Sequence, residues 1–569
     1  MRWRTLVVVA VVLATVSALP MLAAPWDEDE VFLVGAVHGT SPWMNTRFDA
    51  YRFSSGDEKD VAKLIGSGAL PWYTAPDFKY ALYRPLTSAL LWIDSLAFGD
   101  HRLGYQLDAM FWHALLIVAA ACVLARAAPG RAGQGALLLF ALSVTHTTAV
   151  GWLSARHVLV AAVPATFALA AHQRWREDGA RWAAWAAPLG VAIALLASEA
   201  GLQFVPYFMA YELCRREPTA RRLRSLAPTV GVVVVWFVVY KSLGRGHDYG
   251  AELADPVAFV TRGIPRIVLH AAVLLGASLR PDNGWGFYAL RWTLVAAVPG
   301  FLLARAGIRR LDARSRTGAT WLALGAVGSI FPVVGVALES RVLVAASLGA
   351  AMVVSTIIAA GVDEMRGERR PWLVGGATLL AVVHAVALVE LPSHYQAMIR
   401  QRDQRLGTFL RASRGDKPET DVLVVGGAPH FLFGQLGGYL RTRTTGQRVR
   451  RWVGVADANC AHSVERPSED RIVITPRCRE GFFPYGMLQR GDETKQADWT
   501  VVVLDGHPHG RFEVRLGRAQ GIELVGFRRF ADVPIVLGVG ERVELPEPAS
   551  FDDYGIDAPS RWMHVRFGP

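Results

Sequence analysis

Charge is what this sequence has least of. Only 19% of its 569 residues are Asp, Glu, Lys or Arg, whereas 52% are hydrophobic; a soluble domain carries about a quarter charged residues. The shortfall excludes a single soluble globule, and it is confined to one part of the chain. From Thr5 to Leu391 apolar runs alternate with short Arg-rich clusters, and from about Ser393 onward the composition is that of an ordinary soluble domain. Cysteine is also sparse, with four residues, none in a CxxC or Cys/His pattern that would point to zinc. Cys122 and Cys214 fall in apolar segments, where a thiol acts as a small hydrophobe. Cys460 and Cys478 fall in the soluble region, where a disulfide and two free thiols are both open. A dinucleotide-binding GxGxxG is missing as well: Gly426-Gly427 follows the apolar run Val422–Val425 without that spacing.

What the chain does have is long apolar runs and an excess of arginine. The mean hydropathy is +0.26. The net charge of +11 would suggest nucleic acid in a soluble protein, but much of the excess sits in short loops between apolar runs, where it sets membrane topology. A membrane-crossing helix needs roughly 20 mostly apolar residues. By that measure the spans are Thr5–Ala24, Gln106–Ala125, Gly135–Leu153, Val158–Ala171, Trp182–Ala197, Leu202–Leu213 and Leu226–Leu243. They continue as Phe287–Ala306, Thr317–Leu338, Val342–Gly361 and Pro371–Leu391. That is about eleven spans, an all-α polytopic bundle over residues 1–395, followed by a soluble α+β domain over 396–569. The first run is longer than a signal-peptide core and reads as a retained anchor, although Ala23-Ala24 would also suit a cleavage site.

Arginines follow alternate spans: Arg126 and Arg131; Arg174, Arg176 and Arg181; Arg215, Arg216, Arg221, Arg222 and Arg224; Arg305, Arg309, Arg310, Arg314 and Arg316; then Arg366, Arg369 and Arg370. Positive charge collects in short cytoplasmic loops. The N-terminus is therefore expected inside and the C-terminal domain outside, in a plasma membrane of bacterial inner-membrane type. The long loop after Leu243, with Arg245, Arg262, Arg266 and Arg280, is the exception. Counting Ile264–Ser278 as a span would invert every later loop, so it is read as a helix lying at, or re-entering, the outer surface.

The first outer loop, residues 25–103, opens with Asp27-Glu28-Asp29-Glu30 beside the membrane. Four acids there are either a solvated flank or a general base or metal-ligand cluster facing a membrane-level substrate. Asp29 and Glu30 are read as solvated. The loop returns through Tyr83-Arg84-Pro85 into an amphipathic helix in which Asp94 stands alone among Leu90, Leu91, Ile93 and Leu96. Arg binds phosphate in a bidentate fashion and a carboxylate can take a proton from an acceptor hydroxyl. The set suits a polyprenyl-phosphate substrate and no nucleic acid.

The order Asp27-Glu28, Tyr83–Ser88, Gly104-Tyr105 and His113 resembles the GT-C membrane glycosyltransferases, in particular the protein O-mannosyltransferase-like branch, its tetratricopeptide-type membrane mannosyltransferases and their bacterial relatives. Trp152–Arg156 resembles that family's Trp-x-Ser-Gly-Arg turn, Ser198-Glu199 its Ser-Lys-Glu segment without the Lys, and Glu339–Gly349 its Glu-Arg-Tyr-Leu-Tyr-Leu-Pro-Ser segment without the aromatics and Pro. The resemblance covers about residues 1–395. It implies transfer of one sugar from a polyprenyl-phosphate donor to a protein or glycan acceptor on the outer side. It implies Asp27 as base with Glu28 as partner, and Arg84, Arg156 and Arg341 as holders of the carrier phosphate. Tyr83, Asp94, His113 and Glu199 are the remaining substrate-side candidates, with an interhelical hydrogen bond as the rival reading for His113, His146 and Glu199. Branches of the fold differ in metal dependence, so a divalent ion stays open. The rival functions are a lipid or glycan transporter and a non-catalytic envelope-assembly protein.

In the soluble region strands are expected at Val422–Val425, Val449–Val453, Arg471–Ile474, Trp499–Leu504, Phe512–Leu516 and Ile535–Val539. Asp505, His507 and His509 read as a polar turn, with a metal site as the lesser alternative. The arginine alternation makes one test. A reporter active only outside the cytoplasm should give signal when fused after Arg414 and none after Arg310. The reverse pattern would overturn the topology.

Overall fold

The computed structural model describes residues 2–39, 46–67, 69–247, 257, 259–275, 288–334, 340–367, 370–412, 420–427, 449–457, 460–478, 489–496, 499–505, 511–516, 522–526 and 538–545. The chain divides into two compact units. One comprises Met1–Ala23 with Leu82–Met398, and the other Ala24–Ala81 with Ile399–Pro569.

The first unit is helical. Among the described residues six helices are long and apolar enough to cross a membrane: Trp3–Ala23, Arg102–Ala127, Leu153–Asp178, Thr219–Ser242, Ser340–Arg366 and Pro371–Arg400. Pro85–Phe98, Arg181–Ala197 and Ile264–Leu274 are shorter apolar helices. The apolar stretches of Leu153–Asp178 and Ser340–Arg366 are each 89% buried, so these two form the centre of the bundle. Thr219–Ser242 and Pro371–Arg400 instead expose Val234, Val235, Val238, Leu379, Val382 and Val389, the all-round apolar surface that lipid tolerates. Helix crossings close up on small residues, because in lipid packing rather than hydrophobic exclusion drives helix association. A Cβ on Gly349 would sit 2.0 Å from the Leu322 carbonyl, and one on Gly318 would sit 2.1 Å from that of Ala127.

Two runs expected as single spans are broken. Gly135–Leu153 becomes the helix Arg131–Ala141, a 3₁₀ turn Val144–His146 and the short helix Thr147–Gly151. Leu202–Leu213 becomes a 3₁₀ turn Glu199–Phe204 and the helix Val205–Leu213. Serine explains both breaks: Ser143 accepts the Thr145 N–H and Ser198 the Ala200 N–H, capping a new turn where a continuous helix would have left those groups internal. The broken turns carry His146 and Glu199, described below.

The tails of Arg102–Ala127, His157–Asp178 and Val205–Leu213 meet the head of Ala313–Ile330 in an ion-pair network. Arg126 pairs with Asp178 at 2.6 Å, Arg314 with Glu177 at 3.3 Å, and Arg176 with Glu212 at 2.7 Å and Glu217 at 2.5 Å. His172 closes it on Glu212 at 2.9 Å. Arginine-bearing loops distant in sequence thus gather at one end of the unit.

In the second unit a six-stranded antiparallel sheet runs in the order Arg542–Leu545, Cys460–Ser468, Arg471–Cys478, Phe512–Leu516, Trp499–Val503, Glu493–Gln496. Alternation puts Val464, Ile472, Ile474, Val501, Val503, Phe512 and Val514 on one face. Among the described residues, what packs on that face comes from the loop Ala24–Ala81. Val61 and Ile65 of the helix Glu58–Ser67, with Leu70 and Trp72, complete the core, and the Trp72 ring lies 4.9 Å from that of Phe512. The loop was grouped with the bundle in the sequence, but its apolar residues are those the sheet lacks. Thr420–Gly427, Val449–Asp457 and Ile522–Gly526 form a separate parallel sheet. The register sets residue 460 opposite residue 478; their side chains, like residues 535–537, His507 and His509, lie outside the described residues. Removing Trp72 should loosen a sheet some 400 residues away. Trp72→Ala is expected to cost about 3–5 kcal/mol in that unit, read as faster limited proteolysis of full-length protein between residues 460 and 516. Unchanged protease resistance would contradict the shared core.

Candidate functional site

The chain enters the helix Pro85–Phe98 with Pro at its first position, where a missing N–H costs nothing. Just before it, Glu199 grips two consecutive residues: its Oε1 accepts the Tyr83 N–H at 2.9 Å and its Oε2 accepts Arg84 Nε at 2.8 Å. Thr87 Oγ1 donates to the Ala197 carbonyl at 2.7 Å and fastens the same helix head. Arg245 lies 5.6 Å over the Tyr83 ring. Glu199, a substrate-side candidate in the sequence, is thus a partner that orients Arg84.

Arg156 heads the helix His157–Asp178 and is 1% exposed. Its guanidinium pairs with Asp94 at 2.6 Å and with Asp108. The lone acid on the amphipathic helix therefore has a buried partner, and Arg156 is no snorkelling helix-end residue. Asp108 escaped the sequence reading because it is one acid inside an apolar span; an isolated charge there was the available signal.

His113 and His146 join in a chain of hydrogen bonds. Ser347 Oγ donates to the Val344 carbonyl at 2.7 Å and meets His146 Nε2 at 3.1 Å. His146 Nε2 is accordingly the donor to Ser347, and His146 Nδ1 accepts from His113 Nε2 at 3.0 Å. This is the interhelical bond that competed with a relay role for His113. Ser347 also lines a small cavity of about 50 Å³, bounded by Leu142, Val144, Leu274, Val383 and Leu388, with Ser143, Thr145 and His384 as further polar groups.

Arg341 leaves the turn Ser340–Leu343 and places its guanidinium 4.7 Å over the Trp152 ring. Arg156 immediately precedes the buried His157, and Leu86 and Leu90, just beyond Arg84, pack against Val160 and Ala161 of the helix that Arg156 heads. Arg156 and Arg341 thus meet at the turn Trp152–His157, and Arg84 enters a helix packed beside it. Glu199, Asp94 and Asp108 are the carboxylates paired with Arg84 and Arg156.

Asp27 and Glu28 belong to the other unit. Asp27 precedes the helix Glu28–His38, and its backbone N–H donates to Glu30 Oε2 at 3.1 Å while Val31 N–H donates to the Asp27 carbonyl at 3.1 Å. That is the return half of a capping box. Glu30, expected to be solvated, is fully buried for this reason. Asp27 is 9% exposed; the Glu28 side chain lies outside the described residues. Among the described residues no group of three or more His, Cys, Asp or Glu is placed to hold a metal ion.

No family model and no curated protein matches the chain. Among solved structures it is similar to the oligosaccharyltransferase AglB from Archaeoglobus fulgidus, in complex with an inhibitory peptide and a dolichol-phosphate. The TM-score is 0.39 at 14% identity, over 80% of this chain and 64% of that one. It is also similar to ArnT from Cupriavidus metallidurans bound to undecaprenyl phosphate, with a TM-score of 0.38 at 16% identity, over 79% of this chain and 89% of that one. The chain therefore spans less than two thirds of the oligosaccharyltransferase.

The buried triad makes its own prediction. Arg156→Met alone strands two carboxylates and should destabilise the detergent-solubilised protein by about 3–5 kcal/mol. Arg156→Met with Asp94→Asn and Asp108→Asn should recover much of that loss, measured as the temperature at which the monodisperse species disappears. A single variant as stable as the parent would contradict the pairing.

Proposed function

We propose that this chain is a membrane glycosyltransferase of GT-C type, moving a sugar from a polyprenyl-phosphate donor to an acceptor on the extracytoplasmic side. The observation that carries the reading is the meeting of Arg156 and Arg341 at one buried turn, with Arg84 entering a helix packed beside it. Forked guanidiniums match the oxygens of a phosphate. As the bond from the sugar's anomeric carbon to the phosphate oxygen breaks, negative charge grows on the departing lipid phosphate, and donors already held in place stabilise it most. Glu199, Asp94 and Asp108 hold two of the three guanidiniums in position. In this reading Asp27 takes the proton of the acceptor hydroxyl as its oxygen attacks the anomeric carbon, with Glu28 beside it, and the acceptor is a protein or a glycan.

The test is transfer of labelled sugar in membranes holding each variant at matched abundance. Asp27→Asn should lower the rate by roughly 100- to 10,000-fold, as for loss of a positioned proton acceptor. Arg84→Lys keeps the charge but loses the fork and should chiefly raise the donor KM. Asp29→Ala should be tolerated. Parental turnover by Asp27→Asn would remove Asp27 from the mechanism, and parental donor KM in Arg84→Lys would remove the phosphate clamp.

A further inference from the structure

We infer that the turn Trp152–His157 binds the ligand's phosphate through two neutral donors, the hydroxyl of Ser154 and the indole N–H of Trp152. The inference rests on the phosphate-site reading above and adds to it the atoms that meet the anion between the arginines.

Ser154 is 8% exposed, and its Oγ is buried without a hydrogen-bond partner. Trp152 Nε1 is buried without a partner as well. Folded proteins pair nearly all such atoms, so an orphan calls for a specific explanation. Here two fall within three residues, in the turn that ends in Arg156 and on which Arg341 stacks. The turn's geometry relates them. Ala155 N–H donates to the Trp152 carbonyl at 2.9 Å, Arg156 N–H to that of Leu153 at 3.1 Å, and Val160 N–H to that of Arg156 at 3.1 Å. Ser154 and His157 are three residues apart in this tight winding, where side chains at that spacing lie one above the other. Ser154 therefore shares a face with His157, next to Arg156. Trp152 presents its ring face to Arg341, so its N–H, at the ring edge, is offered next to that cation.

Neutral donors suit this place. A phosphate brought here gains from N–H and O–H groups that are already in place and carry no charge to be balanced. The competing explanation is an ordered water on the two atoms, which would leave phosphate binding insensitive to them.

The experiment titrates full-length protein in nanodiscs with farnesyl phosphate, with farnesol as the phosphate-free control and inorganic phosphate as competitor. Ser154→Ala and Trp152→Phe should each weaken farnesyl phosphate by about 10-fold or more, the loss of a hydrogen bond to a charged group, and leave farnesol unchanged. Inorganic phosphate should compete less well in both. Ligand-free Ser154→Ala should unfold at the parental temperature or above it, because the variant removes an unpaired hydroxyl. Parental affinity in both variants, or farnesol binding lost along with farnesyl phosphate, overturns the assignment while the phosphate site stands. Failure of the parent protein to bind farnesyl phosphate, or unchanged binding in Arg341→Gln, overturns the phosphate site itself.

Discussion

Inside a bilayer a guanidinium cannot stand without anions beside it, and Arg156 stands between Asp94 and Asp108 at the head of the most deeply buried pair of helices. The Coulomb attraction in such a medium is large, but so is the cost of taking three charges out of water; the arrangement is stable only when complete. Completeness requires the C-terminal half of Pro85–Phe98 to meet the heads of Arg102–Ala127 and His157–Asp178. That meeting brings Arg84, with Glu199 already on it, into a helix packed beside the turn on which Arg341 stacks over Trp152. A charge that must be buried has been used to fix the place where an anion would be received.

The far end of the same helix carries the second polar layer. Between Arg156 and Arg176 lie about 30 Å of helix at 1.5 Å per residue, close to the thickness of a hydrocarbon core. The network of Arg176, Glu212 and Glu217 at one end and the triad at the other bracket the apolar length of the bundle. The second unit solves a different problem. Its sheet has an apolar face, and the loop Ala24–Ala81 packs Val61, Ile65 and Trp72 onto it. The stretch that begins with Asp27 is thereby tied to a folded domain.

Much of this was legible in the sequence. Apolar runs and arginine spacing are strong signals, so the helical bundle and the C-terminal strands were in view. Partners were not. Asp108 was hidden as one acid in an apolar span, and the grip of Glu199 on Arg84 joins residues more than a hundred positions apart. The breaks at Ser143 and Ser198 were missed because window-averaged hydropathy does not register a serine capping a turn. Glu30 was misread because four consecutive acids look alike until a helix start gives one of them a backbone N–H to accept. The loop's role in the sheet depends on contacts across hundreds of residues, which periodicity along the chain does not encode.

The central claim is that the arginine-lined turn holds the phosphate of a membrane lipid. Native mass spectrometry of the protein purified from its own membrane in mild detergent addresses it most directly. The account predicts a retained adduct with the mass of a polyprenyl phosphate in the parent, and its loss in Arg84→Gln with Arg341→Gln at equal yield and monodispersity. An adduct kept by that double variant, or a parent that carries only bulk phospholipid, would contradict the account.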